Sequence, residues 1–425
     1  MRNELRLRLR RILVWLCRLA AGAVFVVSGW AKAVDPAGFI IKVGEYLSAW
    51  DLQVPHEAIV AGCIALSALE FATGIILASG CLKRVSAIIA SAMMAAMLPL
   101  TLYIAIANPV ADCGCFGDLF KISNWATFWK NIGISAVLGY LLWRNRTVPG
   151  IYPAPVQWFV ATVSLAFPLA LSMMGYHVQP VADFRDYPLG SQIFRSASDT
   201  DNVDELFVYE RDGRRQAFAL DSLPDESWTF VEATATSESG ADIAVRDDDG
   251  DDVSADIVNP EAPQLWLIVP DPGVQFLSRS HQVNNLYSYL SELGIDFTTI
   301  VGSRGAAYDY WLDLTRPRFP VYSAENTALE QLVRGSAGLV YTRGGTIVWK
   351  RTLKSLPDDL LEQMPPEDTE EQSMPNVLDN VTAVDDGRIS LASMAMFAAI
   401  LLVLYLLGLS PKAVRMITAV KRTKK

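Results

Sequence analysis

Cys113 and Cys115 stand in the stretch ADCGCFGDLF, parted only by Gly114, in a chain with five cysteines. A glycine between two thiols supplies the backbone freedom that such a small ring needs. A link this short departs from relaxed disulfide geometry, and strain raises the reduction potential, so the pair has the chemistry of an exchangeable oxidant. The spacing fits equally well a static staple, or two thiols in a tight re-entrant turn. His56, His177 and His281 would complete a zinc set with two thiolates. Nothing in their spacing brings them to the cysteine loop, and no metal is assigned.

Other polar residues stand inside apolar stretches, where each needs a partner. Counting residues from the ends of their stretches puts Arg18 and Glu70 at similar depth, which predicts a structural ion pair. Lys32 and Asp118 belong at the rim near the cysteine loop. NWATFWKN sets Trp129, Lys130 and Asn131 at one helix end. Lys130 and Asn131 have donors for a quinone carbonyl beside the Trp129 ring, whereas Trp125 reads as part of an aromatic belt.

The elements that position these groups are apolar. Of 425 residues, 51% are hydrophobic and only 19% charged, which excludes an ordinary soluble globule of this length. Six stretches are long enough to span a bilayer: Ile12 to Trp30, Ala58 to Ser79, Val85 to Ala107, Trp125 to Trp143, Val156 to Gly175 and Leu391 to Leu409. Basic clusters precede the first, join the second to the third, and follow the fourth and the sixth. All fall on one side, which predicts cytoplasmic termini and places the loops 31–57 and 108–124 and the segment 176–390 outside. On this topology Cys17 and Cys81 lie near the inner face, and Cys63 near the outer one. The net charge of −10 reflects acidic residues crowded into the second half. No phosphate-loop, zinc-protease or serine-hydrolase motif occurs, and no basic, aromatic-interleaved surface points to nucleic acid.

The long outer segment changes to a soluble, acidic composition. ELFVYERDGRRQAFAL is two alternating runs about Asp212-Gly213, a hairpin signal, and WTFVEATA is a further strand. From QLWLIVPDP onward strands and helices alternate and end in the hairpin GLVYTRGGTIVWKR, an order that resembles a thioredoxin fold. The turn where thioredoxins carry C-x-x-C reads PDPGVQ here, the segment has no cysteine, and Ser336-Ala337-Gly338 replaces the proline before the last hairpin. A docking module for a periplasmic protein is the expected role. RDDDGDDVS at 246–254 lacks the spacing of a calcium loop, and PPEDTEEQSMP reads as an acidic tether.

SGWAKAVDPAGF, Glu70 in ALEFATGIILASG, CGCFGD and NWATFWKN together resemble the DoxX/MauE redox-associated membrane proteins over residues 10 to about 145. The resemblance implies a four-helix core and a link to maturing disulfide-rich periplasmic proteins, as in methylamine utilisation. The longer chain resembles DoxX-like forms with a fused outer domain.

The resulting expectation is a membrane all-α bundle, with a four-helix core plus two further spans, carrying an extracytoplasmic α+β domain. Its parts are 1–147 and 148–180 in the membrane, a β-rich region 181–260, a thioredoxin-like part 261–362, an acidic linker 363–388, and a last span with a basic tail, 389–425. The expected function is thiol–disulfide exchange at Cys113 and Cys115 in the bacterial inner membrane, with a quinone as candidate electron acceptor. The alternative is a non-enzymatic anchored docking subunit in which C-x-C is a staple.

Overall fold

The computed structural model describes residues 2–107, 114–120, 122–185, 187–193, 205–211, 214–219, 229–235, 243–272, 280–292, 294–302, 304–335, 337–355, 378 and 388–409. The chain divides into two compact units, Met1–Phe184 with Val384–Lys425, and Arg185–Ala383.

The first unit is helical: α1 Arg2–Val34, α2 Pro36–Ala49, α3 His56–Ser79, α4 Lys83–Ala107, α5 Asn124–Arg144, α6 Gln157–His177, and, from the far end of the chain, an apolar helix Arg388–Leu409. Five of these are long and apolar enough to cross a membrane, namely α1, α3, α4, α6 and Arg388–Leu409. At 21 residues α5 is about 32 Å long, enough for a span. Asn124, Lys130, Asn131 and Arg144 make it less apolar than the other five. The segment 31–57, expected as a loop, contains α2. Its start is encoded locally: Asp35 caps it by accepting from the Gly38 amide at 2.9 Å, and Pro36 occupies the first helical position, where a missing N–H costs nothing.

α1 and α3 run antiparallel in close contact, with glycines at the crossing. A Cβ at Gly22 would lie 2.7 Å from the Ala78 Cβ, and one at Gly74 would lie 2.6 Å from the Val26 amide nitrogen. A Cβ at Gly29 would collide with the Phe71 backbone. These contacts fix the register. Lys32 falls opposite Glu70, and Arg18 opposite Gly80.

The second unit holds two sheets. In the smaller, β1 (Glu205–Arg211) lies between β2 (Arg214–Ala219) and β3 (Thr229–Ala235), antiparallel to both. These are the hairpin and third strand expected from alternation. The larger sheet is built from β4 Pro263–Val269, β5 Asp296–Gly302, β6 Val321–Ala324, β7 Gly338–Arg343 and β8 Thr346–Thr352, in the order β6-β5-β4-β7-β8. β4, β5 and β6 are parallel, while β7 is antiparallel to β4 and β8 to β7. The crossovers contain α7 Ser280–Glu292, α8 Ala306–Thr315 and α9 Asn326–Leu332. The span Arg388–Leu409 is therefore α10.

Both faces of this sheet are buried, which accounts for the unbroken apolar run LWLIV in β4. Leu265, Leu267 and Val269 face Val283, Leu286, Leu290, Tyr308 and Trp311 of α7 and α8. Trp266 and Ile268 point the other way, into a core with Leu329 and Leu332 of α9 and with Tyr187, Ile193, Ile243 and Val245. Residues 187–193 and 243–245, expected in a separate β-rich region, thus complete the core of the later strands. Both sheet edges are met by other segments over part of their length. Arg246 and Ser323 exchange backbone hydrogen bonds of 2.7 and 2.9 Å beside β6, and the Ile347 amide of β8 donates to the Ser191 carbonyl at 2.9 Å.

Candidate functional site: the cysteine loop and the ion pair beneath it

Cys113 lies outside the described residues; Cys115 is described and half-buried. Its segment turns tightly. Gly114 and Gly117 have φ of +63° and +55°, in the left-handed region that other residues rarely adopt. A 3₁₀ turn, Gly117–Leu119, follows. Asp118 lies in that turn.

Three helices hold the loop. A Cβ at Gly114 would lie 3.4 Å from Lys42 Cγ of α2, and Lys42 Nζ is 3.2 Å from Glu45 Oε2. Lys130 of α5 places its ammonium 4.2 Å from the centroid of the buried Phe116 ring, within cation–π range. From α1, Ser28 Oγ donates to the Cys115 carbonyl at 2.5 Å.

Ser28 in turn accepts from Lys32 Nζ at 3.1 Å, one helical turn further along α1. The same ammonium donates to Glu70 Oε2 of α3 at 2.6 Å, with side-chain exposures of 6% and 14% for Lys32 and Glu70. It also lies 5.1 Å from the Phe39 ring of α2. A charge in this setting is tolerable only when paired and hydrogen-bonded, and Lys32 is both. Cys63 and Ser67 precede Glu70 at helical spacing, so they share its face of α3. Both are buried, and Ser67 Oγ donates to the Cys63 carbonyl at 2.7 Å. A hydrogen-bonded line thus runs from a largely enclosed carboxylate to the backbone of a cysteine.

The expected Arg18–Glu70 pair is not formed. Depth counted from the ends of the apolar stretches misses the α1–α3 register, which delivers Lys32 to Glu70 instead. Arg18 is fully buried at the opposite end of the bundle. It donates from Nε to Asn145 Oδ1 at 2.6 Å, from Nη2 to the carbonyls of Asn145 and Val148 at 3.0 and 2.8 Å, and from Nη1 to the Pro149 carbonyl at 3.0 Å. Its guanidinium also sits 4.7 Å from the Trp15 ring. Arg18 is a clamp on the segment after α5.

Trp129, Lys130 and Asn131 do not converge on one ligand. Trp129 is 63% exposed, whereas Asn131 is 3% exposed and donates to Thr101 Oγ1 of α4 at 3.3 Å. Consecutive helical residues point in different directions, and Lys130 is engaged with Phe116. Among the described residues no three His, Cys, Asp or Glu side chains are grouped as a metal site would require. His56 Nε2 lies 3.5 Å from Tyr176 Oη, and His281 Nδ1 lies 3.1 Å from Asn285.

Ser28, Phe39, Lys42, Ser67 and Phe116 are among the site residues that sequence reasoning did not single out. Ser28 had a signal, four residues before Lys32 and so on the same helical face.

Residues 10–144 match the family model described as Methylamine utilisation protein MauE. The match ends with the last residue of α5 and contains every residue of the line from Glu70 to Cys115. Residues 205–236 match a family described as Domain of unknown function (DUF8463), which covers β1, β2 and β3. No curated protein and no solved structure matches the chain.

Proposed function

We propose that this multi-pass membrane protein is an accessory factor for thiol–disulfide handling of a partner protein, with Cys113 and Cys115 as the exchanging pair. The observation that carries the reading is the seating of Cys115: its carbonyl is tied through Ser28 to a largely enclosed Lys32–Glu70 ion pair. A loop without a chemical task could end a helix on solvent-exposed caps. Placing such a charge pair under it is expensive. The MauE match over residues 10–144 supports an accessory role related to methylamine utilisation, the process named in the family's description.

The basic clusters favour a bacterial inner-membrane protein with the cysteine loop and the unit Arg185–Ala383 on the extracytoplasmic side, where disulfides persist. The larger sheet supports a thioredoxin-like reading of that unit. β4, β5, β7 and β8 have the relative order and directions of a thioredoxin sheet, and β6 adds a parallel edge strand. Without cysteines, this unit serves to dock the partner. In exchange, a partner thiolate attacks one sulfur of the Cys113–Cys115 disulfide and forms a mixed disulfide. The second partner thiol then displaces it, leaving the partner oxidised and the pair reduced. A quinone or another disulfide accepts the two electrons that restore the pair.

Cys113→Ser and Cys115→Ser should each abolish this activity. In the reverse direction, the variant that keeps the attacking cysteine should capture an oxidised partner as a band that reductant dissolves: its lone thiolate opens the partner's disulfide, and the second thiol of the pair that would release the partner is missing. A double Ser variant that is folded and fully active would overturn the exchange reading in favour of a docking subunit with a structural staple.

A further inference from the structure

Lys32 is buried and Glu70 largely enclosed, and hydrogen bonds through Ser28 link them to the Cys115 carbonyl. We infer that Lys32, balanced by Glu70 and held by Ser28, is a positioning residue that sets the reactivity of the Cys115 thiolate. This rests on the exchange reading above.

The argument is one of distance and dielectric. Lys32 Nζ reaches the Cys115 carbonyl through two hydrogen bonds, of 3.1 and 2.5 Å, and the sulfur belongs to the same residue. The ammonium and Sγ are therefore within about 10 Å of each other by bond lengths. At an effective dielectric constant of about 20, a unit charge at that distance shifts an ionisation equilibrium roughly tenfold. Glu70, 2.6 Å from the ammonium, cancels most of that field while it is ionised. The pair is thus a balanced source: loss of either member unbalances the field at the cysteine, in opposite senses. A structural brace has no such sign.

Among the described residues, charged residues next to the loop also include Asp118 of its own 3₁₀ turn, Lys42, paired with Glu45 on α2, and Lys130, held on Phe116 by α5. Lys42 and Lys130 approach the loop from α2 and α5 rather than from α1, so each provides a comparison. On α3, Cys63 shares the face of Glu70 and must be substituted to keep the readout clean.

The test uses the full chain in detergent with Cys17, Cys63, Cys81 and Cys113 changed to Ser, so that Cys115 alone reports. The alkylation rate of Cys115 by iodoacetamide is measured from pH 6 to 10. Lys32→Met should raise the midpoint of the profile and slow alkylation at pH 7 about three- to tenfold. Glu70→Gln should lower the midpoint and speed it by a similar factor, and Lys32→Arg should restore the parent profile. Lys42→Met should shift the midpoint less than Lys32→Met. Identical melting curves identify the variants that remain folded. Should Lys32→Met fail to fold, Glu70→Gln and Ser28→Ala carry the test, the latter expected to shift the midpoint upward. Shifts of the same sign for Lys32→Met and Glu70→Gln, or unmoved midpoints in folded variants, would overturn the inference. The mixed-disulfide assay decides the exchange reading separately, since this alkylation profile needs no partner.

Discussion

Arg18 shows how burial, rather than charge, decides what a side chain contributes. Arg10 and Arg18 reach the same segment after α5, but Arg10 meets the Thr147 hydroxyl in an exposed contact of 2.8 Å. Arg18 is enclosed and serves three carbonyls and an amide oxygen. Arg18→Met should therefore cost about 3 kcal/mol or more, because buried carbonyls lose their donors together. Arg10→Met should cost under about 1 kcal/mol, and thermal melts in detergent distinguish the two. Lysine should not replace Arg18, since a single ammonium lacks the planar fork that spans these acceptors. That Arg18 and Glu70 need partners was legible in the sequence, because a charge inside an apolar stretch always does, whereas Lys32, just beyond its stretch, read as a rim residue. Which partner each takes was not, since helix-end counting fixes depth only to within a turn or so and pairing depends on register.

Register belongs to the scale of the element, and in α1 and α3 it is written in glycines. Gly22, Gly29 and Gly74 let two backbones approach until nothing larger fits, as small residues do at membrane helix crossings. Gly74→Ala should push the helices apart and break the Lys32–Glu70 contact, lowering the melting temperature by several degrees for an expected loss of about 1–3 kcal/mol. Gly44→Ala in α2 is the counterpart: no atom lies within 4 Å of the added Cβ. It should be neutral or stabilise by up to about 1 kcal/mol, because alanine loses less backbone entropy in a helix. The membrane helices were readable because apolar length is a strong signal. α2 was missed although Asp35-Pro36 is a helix start, because a 14-residue helix between two spans gives no hydropathy signal of its own.

For the whole molecule, strand and helix order in the second unit followed from alternation, whereas the boundary near residue 260 did not. Residues 187–193 and 243–245 lie on a face of the larger sheet, and no local pattern announces a long-range packing partner. Cutting at residue 260 would expose Trp266, Ile268 and Ile300, which these residues cover. A fragment spanning Arg185–Ala383 should accordingly unfold in one cooperative transition seen by tryptophan fluorescence. One starting at residue 261 should aggregate or melt at markedly lower temperature. The longer fragment should show no reductase activity toward a model disulfide, since it contains no cysteine.

The helical unit is discontinuous in the chain, and α10 joins it from beyond the second unit. Phe397 of α10 stacks on Phe167 of α6 at 4.6 Å and meets Phe71 of α3 at 5.4 Å, while Tyr152 Oη donates to the Leu401 carbonyl at 3.0 Å. During synthesis the ribosome must make residues 185–383 before α10 exists. At about 5–20 residues per second this interval is about 10–40 s. Throughout it, Phe167 and Phe71 keep each other but lack the Phe397 ring, and the Tyr152 hydroxyl lacks its acceptor. The second unit has time to complete its sheet while tethered at one end only. α10 arrives last, and its insertion makes the second tether.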